Sequence, residues 1–238
     1  MTTSTAIAWP QEPQVGETPI LLFVPAWNYN DRYLAQPIVP HVLLGPYHLV
    51  RRTEYLKEHN IKHILCIRDP AETFFLRETT TEPPLQFHFI DVPSDVTKLS
   101  VIPYFSQANQ MLKTMVEKGE NVLVCCGDGI DKSTSFVAAY LMSTYALKAV
   151  DAVTFVQNQR YCATPSPAGY RIKLLEYEPI CAAQRNGGSG ESNGTARRRD
   201  DSDDEEDETQ SDQRPMAADG SGNSPTDATD GHLRKRAR

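Results

Sequence analysis

Residues 122–135 combine two adjacent cysteines, two glycines and a lysine at spacings that could bind a phosphate group and attack it. An apolar run ends at Cys126, a glycine-containing turn follows, and the next segment has the pattern of a helix. Unpaired backbone N–H groups and the helix dipole at such a turn attract anions and favour the thiolate form of a nearby cysteine. Lys132 stands six residues after Cys126 and adds a positive charge at the mouth.

The same residues resemble the signature of the cysteine-dependent protein phosphatases. That signature is a histidine and a cysteine, five residues, an arginine, and then a serine or threonine. Cys126, Gly129 and Ser133 match it. Cys125 stands in place of the histidine and Lys132 in place of the arginine.

The wider chain, from about residue 39 to residue 182, resembles the dual-specificity branch of these phosphatases, and within it members that have lost catalytic residues. Similar segments follow in the same order at residues 43–47, 63–68, 136–142, 151–152, 156–157 and 175–178. Their order and spacing make the resemblance specific. It implies an α/β fold with a central, mostly parallel sheet flanked by helices, and it implies no cofactor or metal.

The resemblance also implies a role for each candidate site residue. Cys126 takes the position of the nucleophile, Lys132 that of the phosphate clamp, and Ser133 that of the hydroxyl that helps the cysteine depart. Asp95 is the expected general acid, with Asp91 as its competitor. The expected phosphate-binding residues form the loop itself: Gly127, Asp128, Gly129, Ile130, Asp131 and Lys132.

Several departures from the family pattern fall on this one site. Lysine offers a point charge where arginine offers a planar fork, and losing one charge-assisted bond to the transition state costs roughly 3–4 kcal/mol. Asp128 and Asp131 disfavour both a thiolate and a phosphate dianion. Residues 165–170 lack the asparagine that braces the loop in the family. The pattern favours a pseudophosphatase that acts as an interaction module, with a slow phosphatase as the alternative.

Composition predicts one folded domain between two tails. Residues 1–35 form an irregular, proline-containing leader, residues 36–184 the phosphatase-like domain, and residues 185–238 a disordered acidic tail with a basic end. A domain of this size buries a sufficient core without disulfides. A third interpretation makes the tail the functional part, as a nuclear scaffold.

Alternating strands and helices predict a layered α/β domain with its ligand site at the carboxyl end of a strand. Strands are predicted at residues 39–44, 62–67, 85–92 and 121–124. Helices are predicted at residues 53–59, 101–118, 133–145, 149–159 and 168–183. The first strand is expected to close in a turn at Gly45-Pro46.

Charge and cysteine content limit the compartment and the partners. Most of the net charge of −7 lies after residue 185, which argues against a basic nucleic-acid binder. Five cysteines without paired CxxC spacing, and no signal-like or membrane-spanning apolar run, predict a soluble, monomeric protein of the cytoplasm and nucleus. The basic cluster at 234–238 is a candidate import signal, and Ser202 a candidate kinase site. The resemblance implies phosphorylated signalling proteins, or kinase or ubiquitin-ligase adaptors, as partners, and no membrane.

Overall fold

The structure, a computed structural model, describes residues 7–16, 19, 27–82 and 84–187, without the side chains of residues 186 and 187. The chain separates into two units, Met1–Asn193 and Gly194–Arg238, and all described residues belong to the first. The acidic run, Ser202 and the basic C-terminal cluster therefore lie outside the described residues, and the predictions about them stay predictions.

A five-stranded sheet forms the centre of the described unit, with the strand order β1-β2-β5-β3-β4. Its strands are β1 (Gln36–Val39), β2 (Val42–Pro46), β3 (Ile61–Arg68), β4 (Gln86–Asp91) and β5 (Asn121–Cys126). The edge strand β1 is antiparallel to β2, and the other neighbouring pairs are parallel. This arrangement confirms the predicted α/β class with a mostly parallel sheet.

Helices cover both faces of the sheet, as the residue alternation in β5 requires. Val122 and Val124 face one core, and Leu123 and Cys125 face the other, because successive side chains of a strand point to opposite faces. The larger core contains α2 (Ile102–Glu117), α3 (Lys132–Tyr145), α4 (Ala149–Gln159) and α5 (Tyr170–Gly187), and the smaller one contains α1 (Thr53–Glu58). No single helix of the described residues could cross a membrane; the bent pair α3 and α4 passes by length and composition only.

The predicted first strand is two strands in the structure. Residues 36–46 form a hairpin whose turn lies at Pro40-His41, where His41 has a φ of 67°. Gly45 and Pro46 lie at the end of β2 and pair with Cys125 and Cys126, so the predicted turn at Gly45-Pro46 is wrong. The apolar run concealed the hairpin because both of its strands are largely buried, and a buried pair shows no clear alternation.

Two glycines meet where β2 passes beneath the loop that follows β5. Gly129 has a φ of 69°, and a Cβ atom on it would lie 2.4 Å from the carbonyl carbon of Gly45. A Cβ atom on Gly45 would lie 2.7 Å from that of Ala35. Gly129 therefore lets the loop approach β2 this closely, and Gly45 leaves room for Ala35, the residue before β1.

The substitution Gly129→Ala is expected to destabilise the fold more than the matched substitution Gly119→Ala. Gly119 has nearly the same φ, 68°, but its nearest neighbour would be 4.0 Å from a new Cβ atom. Gly119→Ala should cost about 1–2 kcal/mol for the left-handed backbone, and Gly129→Ala about 1–3 kcal/mol more for the clash with β2. Urea unfolding of the two variants measures the difference, and equal costs would contradict it.

Candidate functional site

The site is built around the loop between β5 and α3, at the carboxyl end of the sheet. β5 ends at Cys126, two residues after the predicted end of the strand, and α3 begins at Lys132, one residue before the predicted start of the helix. The backbone of Thr164, which follows α4, donates to the carbonyl of Ile130 at 2.9 Å and holds the outer side of the loop. The backbone N–H groups of Gly129 and Ser133 point at the Cys126 sulfur, so the loop folds around it.

Cys126 is a buried thiol with contacts of opposite effect. The Ser133 hydroxyl donates to its sulfur at 3.2 Å, and the thiol lies 3.4 Å from a carboxylate oxygen of Asp128. Burial raises the pKa of Cys126, and the charge of Asp128 raises it further; the hydrogen bonds from Ser133 and the backbone do not outweigh them. The structure thus brings the Ser133 hydroxyl to the Cys126 sulfur, but it favours the protonated sulfur, which is a weak nucleophile.

Asp128 also uses one of the loop's own backbone donors. Its carboxylate accepts from the N–H of Ile130 at 2.9 Å. In a phosphate-binding loop such an N–H group is available to the anion. Here a carboxylate of the same loop takes it.

Lys132 is held by two carboxylates on the loop after β3. Its ammonium nitrogen lies 2.9 Å from an oxygen of Asp69 and 2.7 Å from an oxygen of Glu72. Burial would lower the pKa of Lys132, but the hydrogen bonds with Glu72 and Asp69 outweigh it and raise the pKa. The lysine is therefore charged, and its charge is neutralised within the protein.

Asp69 and Glu72 were not among the residues predicted for the site. They cap the 3₁₀ helix Pro70–Glu72: the Asp69 side chain accepts from the N–H of Ala71, and the Glu72 side chain accepts from the N–H of Asp69. An aspartate followed by proline and, three residues on, a glutamate is the pattern of a capped helix start. The sequence contains this signal, but it does not show that the capping carboxylates reach Lys132.

Asp131 connects the loop to the segment between α4 and α5. Its carboxylate accepts from the backbone N–H of Ser166 at 2.7 Å. Burial raises the pKa of Asp131, the hydrogen bonds from Ser166 lower it, and the charge of Asp128 raises it again, so the net shift is upward. A carboxylate–amide contact thus braces the loop in a region where the family pattern has an asparagine.

Arg160 supports the loop from beneath and was also missed in the sequence. Its guanidinium is fully buried and donates to the carbonyl of Gly129 at 2.9 Å and to that of Asp128 at 3.4 Å. It also donates to the carbonyls of Arg32 and Leu34, at 2.9 Å and 2.8 Å. Arg160 therefore joins the N-terminal segment to the loop, a contact that no local pattern predicts.

Asp95 lies in an exposed turn near the site. Its carboxylate accepts from the side chain and backbone of Thr97 and lies 3.1 Å from the ammonium of Lys98. These contacts, Thr97 first, lower the pKa of Asp95 to about 2. The neighbouring Val96 is buried and would contact a Cβ atom on Gly169 at 3.1 Å, so the turn packs against the segment that braces the loop.

The alternative acid, Asp91, is paired elsewhere. It lies at the end of β4, and its carboxylate accepts from the guanidinium of Arg68 at 2.6 Å. A general acid must hold a proton near neutral pH. The ionised Asp95 does not meet this requirement as it stands, and Asp91 is engaged in an ion pair.

The side chains of the loop enclose an open pocket of about 370 Å³. Four carboxylates lie in or beside it, those of Asp69, Glu72, Asp128 and Asp131, against the single ammonium of Lys132. The described residues contain no group of three or more histidine, cysteine or acidic side chains placed to hold a metal ion. The pocket thus has the frame of an anion site and a predominantly negative lining.

Residues 42–180, more than half of the chain, match the catalytic domain of the dual specificity phosphatases. The chain belongs to the dual-specificity phosphatase family. The resemblance stated from the motifs is thereby confirmed.

Particular relatives agree with this assignment. The serine/threonine/tyrosine-interacting protein of Homo sapiens is 32% identical over 160 residues, which are 66% of this chain and 70% of that protein. Dual specificity protein phosphatase 22-B of Danio rerio is 30% identical over 141 residues, 59% of this chain and 72% of its own. The crystal structure of the human tyrosine phosphatase-like serine/threonine/tyrosine-interacting protein superimposes with a TM-score of 0.56, covering 61% of this chain and 96% of that one.

As a dual-specificity phosphatase homologue, the chain has a cysteine, Cys125, where the family signature has a histidine. Cys125 is fully buried, hydrogen-bonds the side chain of Cys66 on the neighbouring strand, and faces the smaller core. Burial raises the pKa of Cys125 strongly. Cys125 therefore packs as an apolar side chain and supplies no positive charge to Cys126.

We expect Cys126 to titrate above the usual range of a cysteine thiol. Asp128→Asn should lower its pKa, because the substitution removes a negative charge near the sulfur. Ser133→Ala should raise the pKa, because it removes a donor to the thiolate. The pH dependence of alkylation, followed by mass spectrometry of the Cys126 peptide, measures both shifts.

Cys181 serves as the internal control for this measurement. It lies in α5, its pKa is raised by burial, and Asp128 is not among the groups that shift it. The pH dependence of Cys181 alkylation should be the same in the unsubstituted protein, in Asp128→Asn and in Ser133→Ala. A Cys126 thiol that reacts fully at acidic pH would contradict the expected titration.

Proposed function

We propose that this dual-specificity phosphatase homologue is a pseudophosphatase that acts as an interaction module. The observation that carries the proposal is the contact of Lys132 with Asp69 and Glu72, at 2.9 Å and 2.7 Å. In phosphoryl transfer, catalysis depends on positive charge aimed at the transferring oxygens. A lysine whose charge is already paired with two carboxylates supplies little of it.

The nucleophile and the acid support the same proposal. Cys126 is buried and lies beside the Asp128 carboxylate, which opposes formation of the thiolate. The contacts of Asp95 with Thr97 and Lys98 lower its pKa and so disfavour the protonated form that a general acid needs. All three roles of the reaction are weakened together.

One contact favours the second candidate, a slow phosphatase that uses Cys126, Lys132 and Asp95. The Ser133 hydroxyl still donates to the Cys126 sulfur at 3.2 Å, as a functioning cysteine nucleophile requires. A phosphate dianion would, however, meet the carboxylates of Asp128 and Asp131 at the same loop. The interaction module is therefore the first proposal.

The partners and location of the module also belong to this proposal. We propose signalling proteins, or their kinase or ubiquitin-ligase adaptors, as partners, in the cytoplasm and nucleus. The basis is the resemblance to dual-specificity family members that have lost catalytic residues, together with an odd cysteine set without paired spacing. The name of one relative, the serine/threonine/tyrosine-interacting protein, describes binding, and this supports an interaction role for the domain.

The full-length protein should hydrolyse para-nitrophenyl phosphate and a phosphotyrosine peptide no faster than its own Cys126→Ser variant. The reason is that clamp, nucleophile and acid are impaired at once. Phosphate release at several pH values measures the rates. Turnover well above background that disappears in Cys126→Ser would refute the proposal and establish the slow phosphatase.

Lys132→Arg alone should raise the rate of phosphate release over that of the unsubstituted protein by less than about tenfold. Asp69 and Glu72 would pair with the arginine as they pair with the lysine, so the charge stays neutralised. The matched comparison is Lys132→Arg combined with Glu72→Gln, which frees part of that charge. A gain above about tenfold in the single variant would mean that the remaining groups are competent.

A further inference from the structure

Two adjacent aromatic side chains stand exposed next to the acidic pocket. Phe74 and Phe75 are 70% and 68% exposed, and their rings meet edge to face with centroids 5.3 Å apart. They lie two and three residues after Glu72, and the backbone N–H of Phe75 donates to the Glu72 carbonyl at 2.9 Å. Single exposed apolar residues are ordinary, whereas an aromatic pair at the edge of a polar pocket is typical of an interaction surface.

The lining of the pocket determines which charge this surface accepts. Lys132 offsets part of the charge of Asp69 and Glu72, and the carboxylates of Asp128 and Asp131 remain, with Asp128 exposed. Such a concave negative lining raises the local concentration of cations and repels anions. A phosphate group is therefore disfavoured, and an ammonium or guanidinium group is favoured.

The buried hydroxyl of Tyr170 is an independent sign that a hydrogen-bonding partner could be accommodated at this site. Tyr170 is only 3% exposed, and its hydroxyl has no hydrogen-bond partner among the described residues. Burial raises its pKa, and the negative charges of Asp131, Glu72 and Asp69 are among the groups that raise it further, so the hydroxyl lies in the field of the pocket carboxylates. An unpaired buried hydroxyl is costly and normally has a partner.

We propose that this face binds a basic and apolar segment of a partner protein, with an arginine or lysine in the acidic pocket and an apolar neighbour on Phe74 and Phe75. Arginine fits best, because its planar fork can bond a carboxylate in two places and stack on an aromatic ring. The guanidinium of Arg77 lies 5.4 Å from the centroid of the Phe74 ring, so this ring can stack with such a group. The proposal rests on the proposed function, since it gives the pocket a role in binding instead of hydrolysis.

Oriented peptide pools test the chemistry of the partner. The pools share degenerate flanks of leucine, phenylalanine, serine and glycine, and differ only in a fixed central residue: arginine, lysine, glutamate or phosphotyrosine. The full-length protein should retain the arginine and lysine pools at least about tenfold over the glutamate pool, with apolar residues enriched beside the fixed position. Preference for the phosphotyrosine pool, or equal retention of all pools, would overturn the proposal.

Variants test the place of binding. Phe74→Ala combined with Phe75→Ala, and separately Asp128→Asn, should each weaken binding of the selected arginine peptide by about tenfold. The matched controls are Val150→Ala on α4, which is 66% exposed, and Glu54→Gln on α1, whose side chain is 92% exposed; neither should change it. Equal losses in the controls, or none in the site variants, would place binding elsewhere and overturn the proposal.

The two proposals fail in different ways. Hydrolysis that depends on Cys126 would refute the proposed function. The peptide pools would still show whether the face binds a basic segment. A protein that neither hydrolyses phosphate esters nor retains the basic pools would refute only the inference about the basic partner. Phe74 and Phe75 lie outside the loop between β5 and α3. Their substitution therefore keeps the binding test valid even if Asp128→Asn alters the loop.

Discussion

The buried guanidinium of Arg160 is the interaction on which the shape of the site depends. It lies at the end of α4 and donates to backbone carbonyls of the loop after β5 and of the segment before β1. A buried charge is costly to desolvate, and here carbonyl dipoles from two distant parts of the chain compensate it. The loop therefore keeps its form through contacts between Arg160 and its backbone, independently of the side chains that it presents to the pocket.

Because Arg160 contacts backbone atoms of the loop, the loop side chains that line the pocket can differ while the fold stays the same. Each of the four carboxylates at the site has an internal partner: Asp128 accepts from the N–H of Ile130, Asp131 accepts from the N–H of Ser166, and Asp69 and Glu72 pair with Lys132. An anion-binding loop leaves such donors for its ligand. In this protein they are satisfied without one, so the loop is complete when no phosphate is present.

The sequence predicts the frame of the molecule better than the contacts within the site. The strands and helices after residue 50 follow clear hydrophobic periods and lie close to their predicted bounds, and Cys126, Ser133 and Lys132 occupy one loop as expected. Asp69 and Glu72 carry a readable capping pattern, but their approach to Lys132 depends on how β3 and β5 are packed. The role of Arg160 depends on contacts more than 120 residues away in sequence, and no periodicity reports such contacts.

The hairpin at residues 36–46 and the acid near residue 95 show two different limits of such prediction. A pair of buried strands conceals its turn because neither strand alternates. For Asp95, position along the chain was sufficient to locate the turn beside the site, but protonation depends on Thr97 and Lys98, which hold the carboxylate ionised. Sequence position thus identifies a candidate residue more readily than it identifies its chemical state.

The burial of the free thiol of Cys125 beside Cys66 limits which residues can stand next to Cys126. Cys125 has no exposed surface and lies among the apolar side chains of the smaller core, which include Leu43 and Tyr47. A larger, polar imidazole at that position would need both space and a hydrogen-bond partner, and overpacking of a core costs about 1–3 kcal/mol. Replacing Cys125 with the histidine of the family signature is therefore opposed by packing that has nothing to do with catalysis. A histidine at this position would require repacking of the smaller core, whatever side chains the loop presents to the pocket.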